Sequence, residues 1–511
     1  MAQGALPGFR DFYPQELAER AYIMSVWREV ARRYAFVEYD GPPLEPLELY
    51  TKKSGEEIVG QLYNFDDKGG RQVALRPEMT PTVARMVGAR ANALRKPVRW
   101  FSIPQLFRYE RQQKGRLREH YQLNVDIFGE ASVAADAELM AAALDMMRAF
   151  GLGHDDVRAR VSDRRLLRAV LTTIGAAEDA HEAVFAVIDK VERTPRAVSE
   201  EKLRAAGLEE SATGKLFELL RVRTAAELRA VIGTTNRALD ERLAEIEQYL
   251  DFTARLGVGE YVQLDLTIVR GLAYYTGIVF ELFDAKGEFR AIAGGGRYDT
   301  LLASLGGVDL PALGFGMGDV VLGELLRARG LMKSAARPVE VWVAGGERTV
   351  DLQKVMSLAA SLRAEGLAVE YSLRPQQIAK QFKAAATAGA KRAVIVPLAT
   401  DAVGGTEYTI RDLDSGEQTK YPDADAVVRA LAAGGTTSWC CARSSPTTRR
   451  CAAAWSSGLT ATASGSECSR RSTRCSRTRV TRTPTSRCSS RRATSRRKRS
   501  TSRGSPRRPR W

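Results

Sequence analysis

The sequence predicts an α+β fold of hairpins and helices, followed by a smaller α/β domain. The first observation is a hairpin at 107–129, where aromatic or β-branched residues alternate with polar ones on both sides of a polar segment. The second is helical periodicity in segments such as 16–34 and 134–150. The third is the alternation of strands and helices after residue 338, which is typical of a small α/β sheet.

The basic charge of this chain lies in one segment. The chain has 511 residues, enough for two to four domains. Its net charge of +16 suggests a nucleic-acid binder, but residues 437–511 hold 20 of the 77 Lys and Arg and a single acidic residue, which leaves residues 1–436 with a net charge of −3. Arg, Ser, Thr, Cys and Pro dominate this low-complexity tail, which predicts either a disordered basic arm or the product of a shifted reading frame.

Cysteine and histidine usage argues against several kinds of site. All six cysteines lie at residue 440 or later, so we expect no disulfide and no cysteine-ligated metal in the body of the chain. Three histidines do not favour a histidine-rich zinc site. No apolar run is long enough to span a membrane and no signal pattern opens the chain, so the sequence predicts a cytoplasmic protein.

The first part of the chain predicts a helix, a strand and a hairpin in that order. The helix at 16–34 precedes a strand-like segment at 35–39, and this order by itself is typical of an ordinary helix–strand unit. A hairpin over 63–75 then leads to Pro77, whose ring fixes the backbone where a strand gives way to a helix. Glu78 and Thr80 therefore lie at a helix start, where they could cap the helix or bind a ligand.

The hairpin at 107–129 concentrates charged and amide side chains on one face. Four arginines flank the potential acceptors Glu110, Gln122 and Asp126. A buried charged face is unfavourable unless a partner compensates it. The pattern indicates either a solvated, salt-bridged hairpin or a site for a polyanion and a small polar substrate, and we favour the site. The arginines are Arg108, Arg111, Arg116 and Arg118.

A second segment, 264–283, places an arginine, two tyrosines and two glycines between predicted strands. The strands are 264–269 and 278–283, and Arg270 begins the connection between them. Glycines permit a close approach of the backbone to a ligand. A fixed cation is the usual means of stabilising charge in phosphoryl chemistry. The alternative is a hairpin corner with an exposed arginine.

Two glycine-rich segments come next. Residues 294–296 are three glycines at the end of a predicted strand, and by themselves they are consistent with a plain turn. Residues 314–318 alternate glycine with larger residues before a predicted helix at 319–326, an arrangement that lets a strand and a helix pack against a flat ring. Residues 157–257, between the hairpin and these segments, are predicted to be mainly helical.

Several of these segments resemble one enzyme family. Residues 107–130, FRYERQQKGRLREHYQLNVDIFGE, resemble motif 2 of the class II aminoacyl-tRNA synthetases in the form found in histidyl-tRNA synthetases. Residues 270–277, RGLAYYTG, resemble the histidine-specific signature of that family. Pro42 matches the proline of motif 1, and residues 314–326 resemble motif 3.

The resemblance implies a domain organisation. Residues 1–330 would form the class II catalytic domain, an antiparallel sheet core flanked by helices, with a helical insertion at about 160–257. Residues 338–430 would form a C-terminal α/β anticodon-binding domain, in which 380–383 provide a basic helix surface that faces either RNA or solvent. The family forms a dimer through motif 1, so a homodimer is expected.

The resemblance also implies a reaction. Members of the family activate L-histidine with ATP, with Mg²⁺ bridging the phosphates, and pass the activated histidine to the 3′ end of tRNA(His). One alternative is the synthetase-like regulatory subunit of ATP phosphoribosyltransferase, against which 338–430 and the intact signature argue. Another is a class IIa synthetase for proline or threonine, which the paired tyrosines after Arg270 disfavour.

Site residues follow position by position from the resemblance, with three departures. Asp126 stands where many members have a glutamate against the imidazole, Ala273 where an aspartate is common, and Val320–Val321 where motif 3 has Glu-Arg. No metal ligand is assigned. The implied roles are catalytic for Arg270 and Arg108, histidine-binding for Glu78, Met79, Thr80, Gln122, Asp126, Tyr274, Tyr275 and Tyr298, and ATP-binding for Arg108, Glu110, Arg116, Gly316 and Gly318.

Overall fold

The computed structural model describes residues 4–51, 59–110, 117–233, 236–270, 274–305, 307–333, 339–398 and 406–433. The chain divides into two units, Met1–Thr437 and Ser438–Trp511. The predicted tail at 437–511 and the predicted ATP contact Arg116 therefore lie outside the described residues. The described part contains no helix of the length and apolarity that a bilayer crossing requires.

Strands and helices alternate irregularly before residue 333 and regularly after residue 339 in the described structure. The described strands are β1 (Val37–Glu38), β2 (Leu44–Pro46), β3 (Tyr63–Asp66), β4 (Gln72–Leu75), β5 (Val98–Ser102), β6 (Gln105–Phe107), β7 (Glu119–Phe128), β8 (Val157–Asp163), β9 (Val262–Leu264), β10 (Ile278–Asp284), β11 (Ala293–Arg297), β12 (Ala312–Gly318), β13 (Val341–Ala344), β14 (Val369–Tyr371), β15 (Arg392–Ile395), β16 (Tyr408–Asp412) and β17 (Gln418–Tyr421). The described helices are α1 (Pro14–Arg33), α2 (Glu48–Thr51), α3 (Thr80–Arg90), α4 (Val133–Ala149), α5 (Arg164–Thr173), α6 (His181–Ile188), α7 (Arg196–Ala205), α8 (Glu210–Leu219), α9 (Ala225–Ile232), α10 (Arg237–Arg255), α11 (Leu301–Ser304), α12 (Asp319–Ala328), α13 (Thr349–Ala364), α14 (Ile378–Thr387) and α15 (Ala424–Ala433).

A large mixed sheet forms the centre of the structure before residue 333. Its strand order is β1-β5-β7-β12-β11-β10-β8-β9, and β6 also pairs with β7. Every pair from β5 to β8 along this order is antiparallel, whereas β1 with β5 and β8 with β9 are parallel pairs at the two ends. The predicted α+β fold is confirmed, and the parallel ends make the sheet mixed.

Register separates the two faces of this sheet, because successive side chains in a strand point to opposite sides. Phe101, Val125 and Phe315 are neighbours across β5, β7 and β12. They belong to the main hydrophobic core, together with residues of α1 and α4. The alternate positions of β7, Gln122 and Asp126, therefore lie on the opposite face, where the candidate site is found.

Two local predictions were wrong. The strand predicted for 264–269 ends at Leu264, because the Asp265 carboxylate turns the chain by accepting a hydrogen bond from the Thr267 backbone N–H at 3.0 Å. Residues 157–163 were expected in the helical insertion but form β8, a strand of the central sheet. The glycines at 294–296, which by themselves were also consistent with a plain turn, lie within β11.

The C-terminal part contains a sheet of order β14-β13-β15-β16-β17, parallel from β14 to β15 and antiparallel after that. The strand and helix alternation predicted after residue 338 is confirmed, but β17 and α15 were not predicted. The predicted basic surface is interrupted at Gln381. This side chain is buried and bonds to both the N–H and the carbonyl of Gly345, so only Lys380 and Lys383 are exposed there.

Candidate active site

A cavity of about 220 Å³ lies on the polar face of the central sheet, beside Gln122. Arg108 reaches it from the end of β6, and Arg270 reaches it from the connection before β10, so two arginines far apart in sequence line the same space. The predicted ATP contacts Glu110, Gly316 and Gly318 also line it. The full lining consists of Arg108, Glu110, Leu117, His120, Gln122, Arg270, Ala291, Ile292, Ala293, Gly294, Gly316, Gly318, Val320 and Val321.

Arg270 is held by its backbone and by an ion pair. Its φ of 60° is in the left-handed region, which residues other than glycine adopt only when the surroundings stabilise it. Its Nη1 donates to Oε1 of Glu281 on β10 at 2.6 Å. Burial opposes the charged guanidinium, but the charges of Tyr275 and Glu281 outweigh burial and raise the pKa of Arg270 above its usual value. The cation is therefore permanent and fixed in position.

Glycines in β11 and β12 leave room for side chains that cross them. A Cβ at Gly294 would lie 1.7 Å from Nη1 of Arg270. A Cβ at Gly314 would lie 2.2 Å from Oδ1 of Asp126, and one at Gly316 would lie 2.8 Å from Cδ of Gln122. These are impossible contacts, so the two strands can accommodate the polar side chains only because they lack side chains of their own there.

The cavity wall that motif 2 forms carries a positive charge from Arg108. Nε of Arg108 donates to the carbonyl of Pro77 at 2.9 Å, which ties the end of β6 to the segment before α3. His120, on the cavity wall, is neutral at pH 7, because burial and the charges of Arg108 and Arg10 lower its pKa to about 3. The imidazole therefore adds polarity to the wall without adding charge.

The predicted histidine contacts form a buried cluster of hydroxyls and carboxylates. Tyr274 donates a hydrogen bond to Oε2 of Glu78 at 3.1 Å, and the hydroxyl of Thr80 is also close enough to act on Tyr274. The ring of Tyr274 lies 5.0 Å from that of Tyr275 and 5.9 Å from that of Tyr298. The structure thus brings residues from α3, the signature segment and the end of β11 together.

Asp126, a residue of β7, lies at one end of this cluster. Tyr298 donates a hydrogen bond to its Oδ1, whereas Oδ2 is buried and has no hydrogen-bond partner among the described residues. Burial disfavours the carboxylate, and although the Tyr298 hydroxyl partly compensates, the pKa of Asp126 is raised to about 7. A buried acceptor with one unused oxygen is suited to an N–H donor.

Other predicted positions have simpler surroundings. Met79 is fully buried, with its Cε near Gly41, so its side chain lies in a packed contact. Val320 and Val321 line the cavity at the start of α12, where motif 3 has Glu-Arg. Ala273, where the family commonly has an aspartate, lies outside the described residues.

The contributors that were not predicted include Glu281, His120, the specific role of Gly294 and the lining residues Leu117, Ala291, Ile292 and Ala293. Glu281 is the one acidic residue between Ile278 and Phe283, and a lone carboxylate in an apolar strand could have drawn attention to it. His120 carries no local signal. The need for glycine at 294 arises from the path of a side chain that comes from elsewhere in the sequence, so no local pattern reveals it.

Comparisons with known proteins agree with this geometry. The family model for histidyl-tRNA synthetase matches residues 8–318, and that for an anticodon binding domain matches residues 341–431. A histidine–tRNA ligase of Opitutus terrae is 46% identical over 430 residues, 83% of this chain and 98% of that protein. A chloroplastic/mitochondrial histidine–tRNA ligase of Arabidopsis thaliana is 40% identical over 424 residues, 82% of this chain and 85% of that protein.

A solved structure shares the fold. The crystal structure of histidyl-tRNA synthetase from Nostoc sp. PCC 7120 matches with a TM-score of 0.71 and 23% identity, and covers 85% of this chain and 100% of that one. At that identity the match establishes the class II synthetase fold alone. The matched family model and the relatives that this chain covers almost completely establish more: the chain belongs to the histidyl-tRNA synthetase family.

Proposed function

We propose that this chain is a histidine–tRNA ligase, which activates L-histidine with ATP and transfers it to the 3′ end of tRNA(His). The observation that carries the proposal is the convergence of Arg108 and Arg270 on one cavity, beside the buried cluster of Glu78, Tyr274 and Asp126. Two permanent cations are suited to a phosphate, and the cluster next to them offers carboxylates and hydroxyls to an amino acid.

In the first step, a carboxylate oxygen of histidine attacks the α-phosphorus of ATP. A new P–O bond forms to the carboxylate, the bond between the α-phosphorus and the oxygen that bridges to the β-phosphate breaks, and pyrophosphate leaves. Arg108 and Arg270 stabilise the charge on the α-phosphate oxygens. Because Glu281 and the backbone already fix Arg270, little reorganisation accompanies the reaction.

Recognition of histidine divides between the two ends of the cluster. The α-ammonium group is assigned to Glu78, Thr80 and Gln122, since a buried carboxylate with neighbouring acceptors favours a cation. The imidazole is assigned to Asp126, Tyr275 and Tyr298. Asp126 is shorter than the glutamate of many members. The Tyr298 hydroxyl donates to its Oδ1, which leaves Oδ2 as the oxygen available to the imidazole.

Mg²⁺ is proposed to accompany ATP, where it would neutralise charge on the phosphates. Among the described residues no group of three or more acidic, histidine or cysteine side chains could hold an ion by itself. Mg²⁺ is commonly bound by one or two carboxylates together with substrate phosphates, and Glu110 on the cavity wall is the carboxylate placed to contribute.

In the second step, a ribose hydroxyl at the 3′ end of tRNA(His) attacks the histidyl carbonyl carbon. The ester bond forms, the bond between the carbonyl carbon and the phosphate oxygen breaks, and AMP leaves. The match of residues 341–431 to an anticodon binding domain supports binding of tRNA by a second part of the chain. The exposed Lys380 and Lys383 are candidates for phosphate contacts there.

Amino-acid-dependent pyrophosphate exchange tests this function. We expect label exchange with histidine and with no other amino acid; exchange with proline or threonine would indicate a different synthetase, and exchange with none would indicate a regulatory subunit. Arg270→Ala should lower exchange by roughly 10²- to 10³-fold. The control is Arg255→Ala, because Arg255 is exposed and pairs only with Asp251 on the same helix in the described structure, so exchange should be unchanged.

We also propose a cytoplasmic homodimer. The cytoplasm is proposed because protein synthesis takes place there. The dimer is supported by exposed apolar side chains that a partner chain could cover. They are Val37 on β1, an end strand of the central sheet, and Leu44 and Phe65 on the small sheet β2-β4-β3. Light scattering coupled to gel filtration would measure twice the chain mass. A single chain mass at micromolar concentration would contradict the dimer.

A further inference from the structure

Three buried oxygens at the far end of the amino-acid cluster have no hydrogen-bond partner among the described residues: Oδ2 of Asp126, the hydroxyl of Tyr39 and the hydroxyl of Ser102. Most buried polar atoms in proteins are paired, and a buried unpaired oxygen is destabilising. Unpaired atoms that occur together at a binding site therefore indicate a group that pairs with them.

The sheet places these three residues together. Trp100 on β5 is directly opposite Asp126 on β7, and Ser102 is two residues further along β5 on the same face. The backbone N–H of Tyr39 donates to the carbonyl of Phe101 at 2.9 Å, and its ring packs on that of Trp100 with centroids 5.4 Å apart.

Electrostatics agrees with this placement. Burial and the charge of Asp126 raise the pKa of Tyr39, and the Ser102 hydroxyl acts in the opposite direction. Tyr39 in turn makes a smaller contribution to the raised pKa of Tyr298, after burial, Asp126 and Tyr274. The four side chains are therefore near enough to influence one another. The Tyr39 and Ser102 hydroxyls lie close to each other, and neither is in full hydrogen-bonding geometry with a described residue.

We propose that Tyr39 and Ser102 are specificity-determining residues which, with Asp126, form the polar end of the histidine pocket and bind the N–H edge of the imidazole ring. Oδ2 of Asp126 accepts the ring N–H, and the two hydroxyls complete the hydrogen bonding of that edge. The proposal rests on the proposed function, because it names the residues that distinguish the side chain of the same substrate.

The chemistry explains why a shorter acid can serve here. Aspartate leaves more space at this end of the pocket than glutamate, and hydroxyls from β5 and the residue after β1 occupy that side. A ring of the same size without an N–H group would leave all three oxygens unpaired, so the pocket rejects it.

Pyrophosphate exchange with the full chain tests the proposal through Tyr39→Phe and Ser102→Ala. We expect each substitution to raise the KM for histidine roughly three- to tenfold, the effect of one lost hydrogen bond. The kcat and the KM for ATP should change less than twofold. Discrimination between histidine and 3-(2-thienyl)alanine, whose ring lacks an N–H, should fall by a similar factor.

Two matched controls separate binding from structure. Tyr249 and Ser199 also have buried hydroxyls without a partner among the described residues, but they lie in helices α10 and α7. In all four variants the Tm should be unchanged or higher, because the lost hydroxyl was unpaired. Only Tyr39→Phe and Ser102→Ala should raise the histidine KM.

The outcomes are distinct. An unchanged histidine KM in both Tyr39→Phe and Ser102→Ala overturns the inference, and so does an equal rise in Tyr249→Phe and Ser199→Ala. If Tyr39→Phe does not fold, Ser102→Ala decides by the same criterion. Absence of histidine-dependent exchange in the unmodified chain would instead contradict the proposed function.

Discussion

Nη1 of Arg270 lies 2.6 Å from Oε1 of Glu281, and the guanidinium reaches that position by crossing β11 at Gly294. Glu281 on β10 thus holds the guanidinium of Arg270, which comes from the connection before that strand. The guanidinium can cross β11 because Gly294 has no side chain. The position of the charge in the cavity depends on all three residues, which makes each of them testable.

Gly294→Ala should displace the arginine. The added Cβ would lie 1.7 Å from Nη1, and because this is the end of a flexible side chain, the guanidinium moves and the strand remains. A displacement of about 1 Å in a catalytic group can reduce rate about 10²-fold, so we expect a loss of that size in pyrophosphate exchange. Circular dichroism should show an unchanged fold.

Gly214→Ala is the matched control for that substitution. Gly214 lies in α8, outside the cavity lining, and a Cβ there meets no atom within 4 Å. Its effect on exchange should be less than about a tenth of the effect of Gly294→Ala. Equal losses in the two variants would show that the path of Arg270 is not what Gly294 provides.

Val321→Glu should weaken ATP binding. Val321 lines the cavity where motif 3 normally supplies an arginine, so a carboxylate there would repel the triphosphate. At an effective dielectric constant of about 20 the repulsion is on the order of 2–4 kcal/mol, and we expect the KM for ATP to rise more than roughly tenfold. Val321→Gln has nearly the same size and no charge, so its effect should be several times smaller. The same KM in both variants would place the phosphates elsewhere.

Asp126→Asn should change the pH dependence of stability. The pKa of Asp126 is raised from 3.8 to about 7 by burial, so between those values the folded protein holds a proton that the unfolded chain has released. The stability that this proton contributes is fully present below about pH 4 and is lost as the pH rises to about 7. Asparagine does not ionise, so the Tm of Asp126→Asn relative to the unmodified chain should rise across that range and level off above it.

The magnitude and the control for this experiment follow from the same linkage. One pKa unit corresponds to about 1.4 kcal/mol, so the difference in unfolding free energy between pH 4.5 and pH 7.5 should be on the order of a few kcal/mol. Asp145→Asn is the comparison, because Asp145 is half-buried and its carboxylate accepts from Tyr34 outside the cavity. A Tm difference for Asp126→Asn that does not vary with pH would contradict the raised pKa.

A chain that ends at residue 435 should keep full histidine-dependent exchange. The described residues that line the cavity all lie before residue 322. Intact-mass measurement of the natural protein tests the shifted-frame interpretation independently, since that interpretation predicts a mass that ends near residue 435. A large loss of exchange on truncation would assign the tail a role in catalysis.

Sequence patterns predicted the long elements well and the short ones poorly. α1, α4 and the hairpin of β3 and β4 match their predicted positions within a few residues, because periodic apolar residues define them locally. β9 and β8 were misjudged for a different reason. Asp265 ends an apolar run through a side-chain bond to Thr267, and β8 is a strand because β10 pairs with it, so neighbours far away in sequence decide both.

The sequence by itself determined the family, the order of the long elements and several of the residues that line the cavity, because motifs 2 and 3 and the RGLAYYTG segment are each contiguous in the sequence. Only the tertiary structure decided that Glu281 holds Arg270, that Gly294 and Gly314 leave space for other side chains, and that Tyr39 and Ser102 lie near Asp126. The reason is physical: these relationships depend on strand register, which joins residues that are separated by ten to more than a hundred positions and leaves no pattern within any one segment.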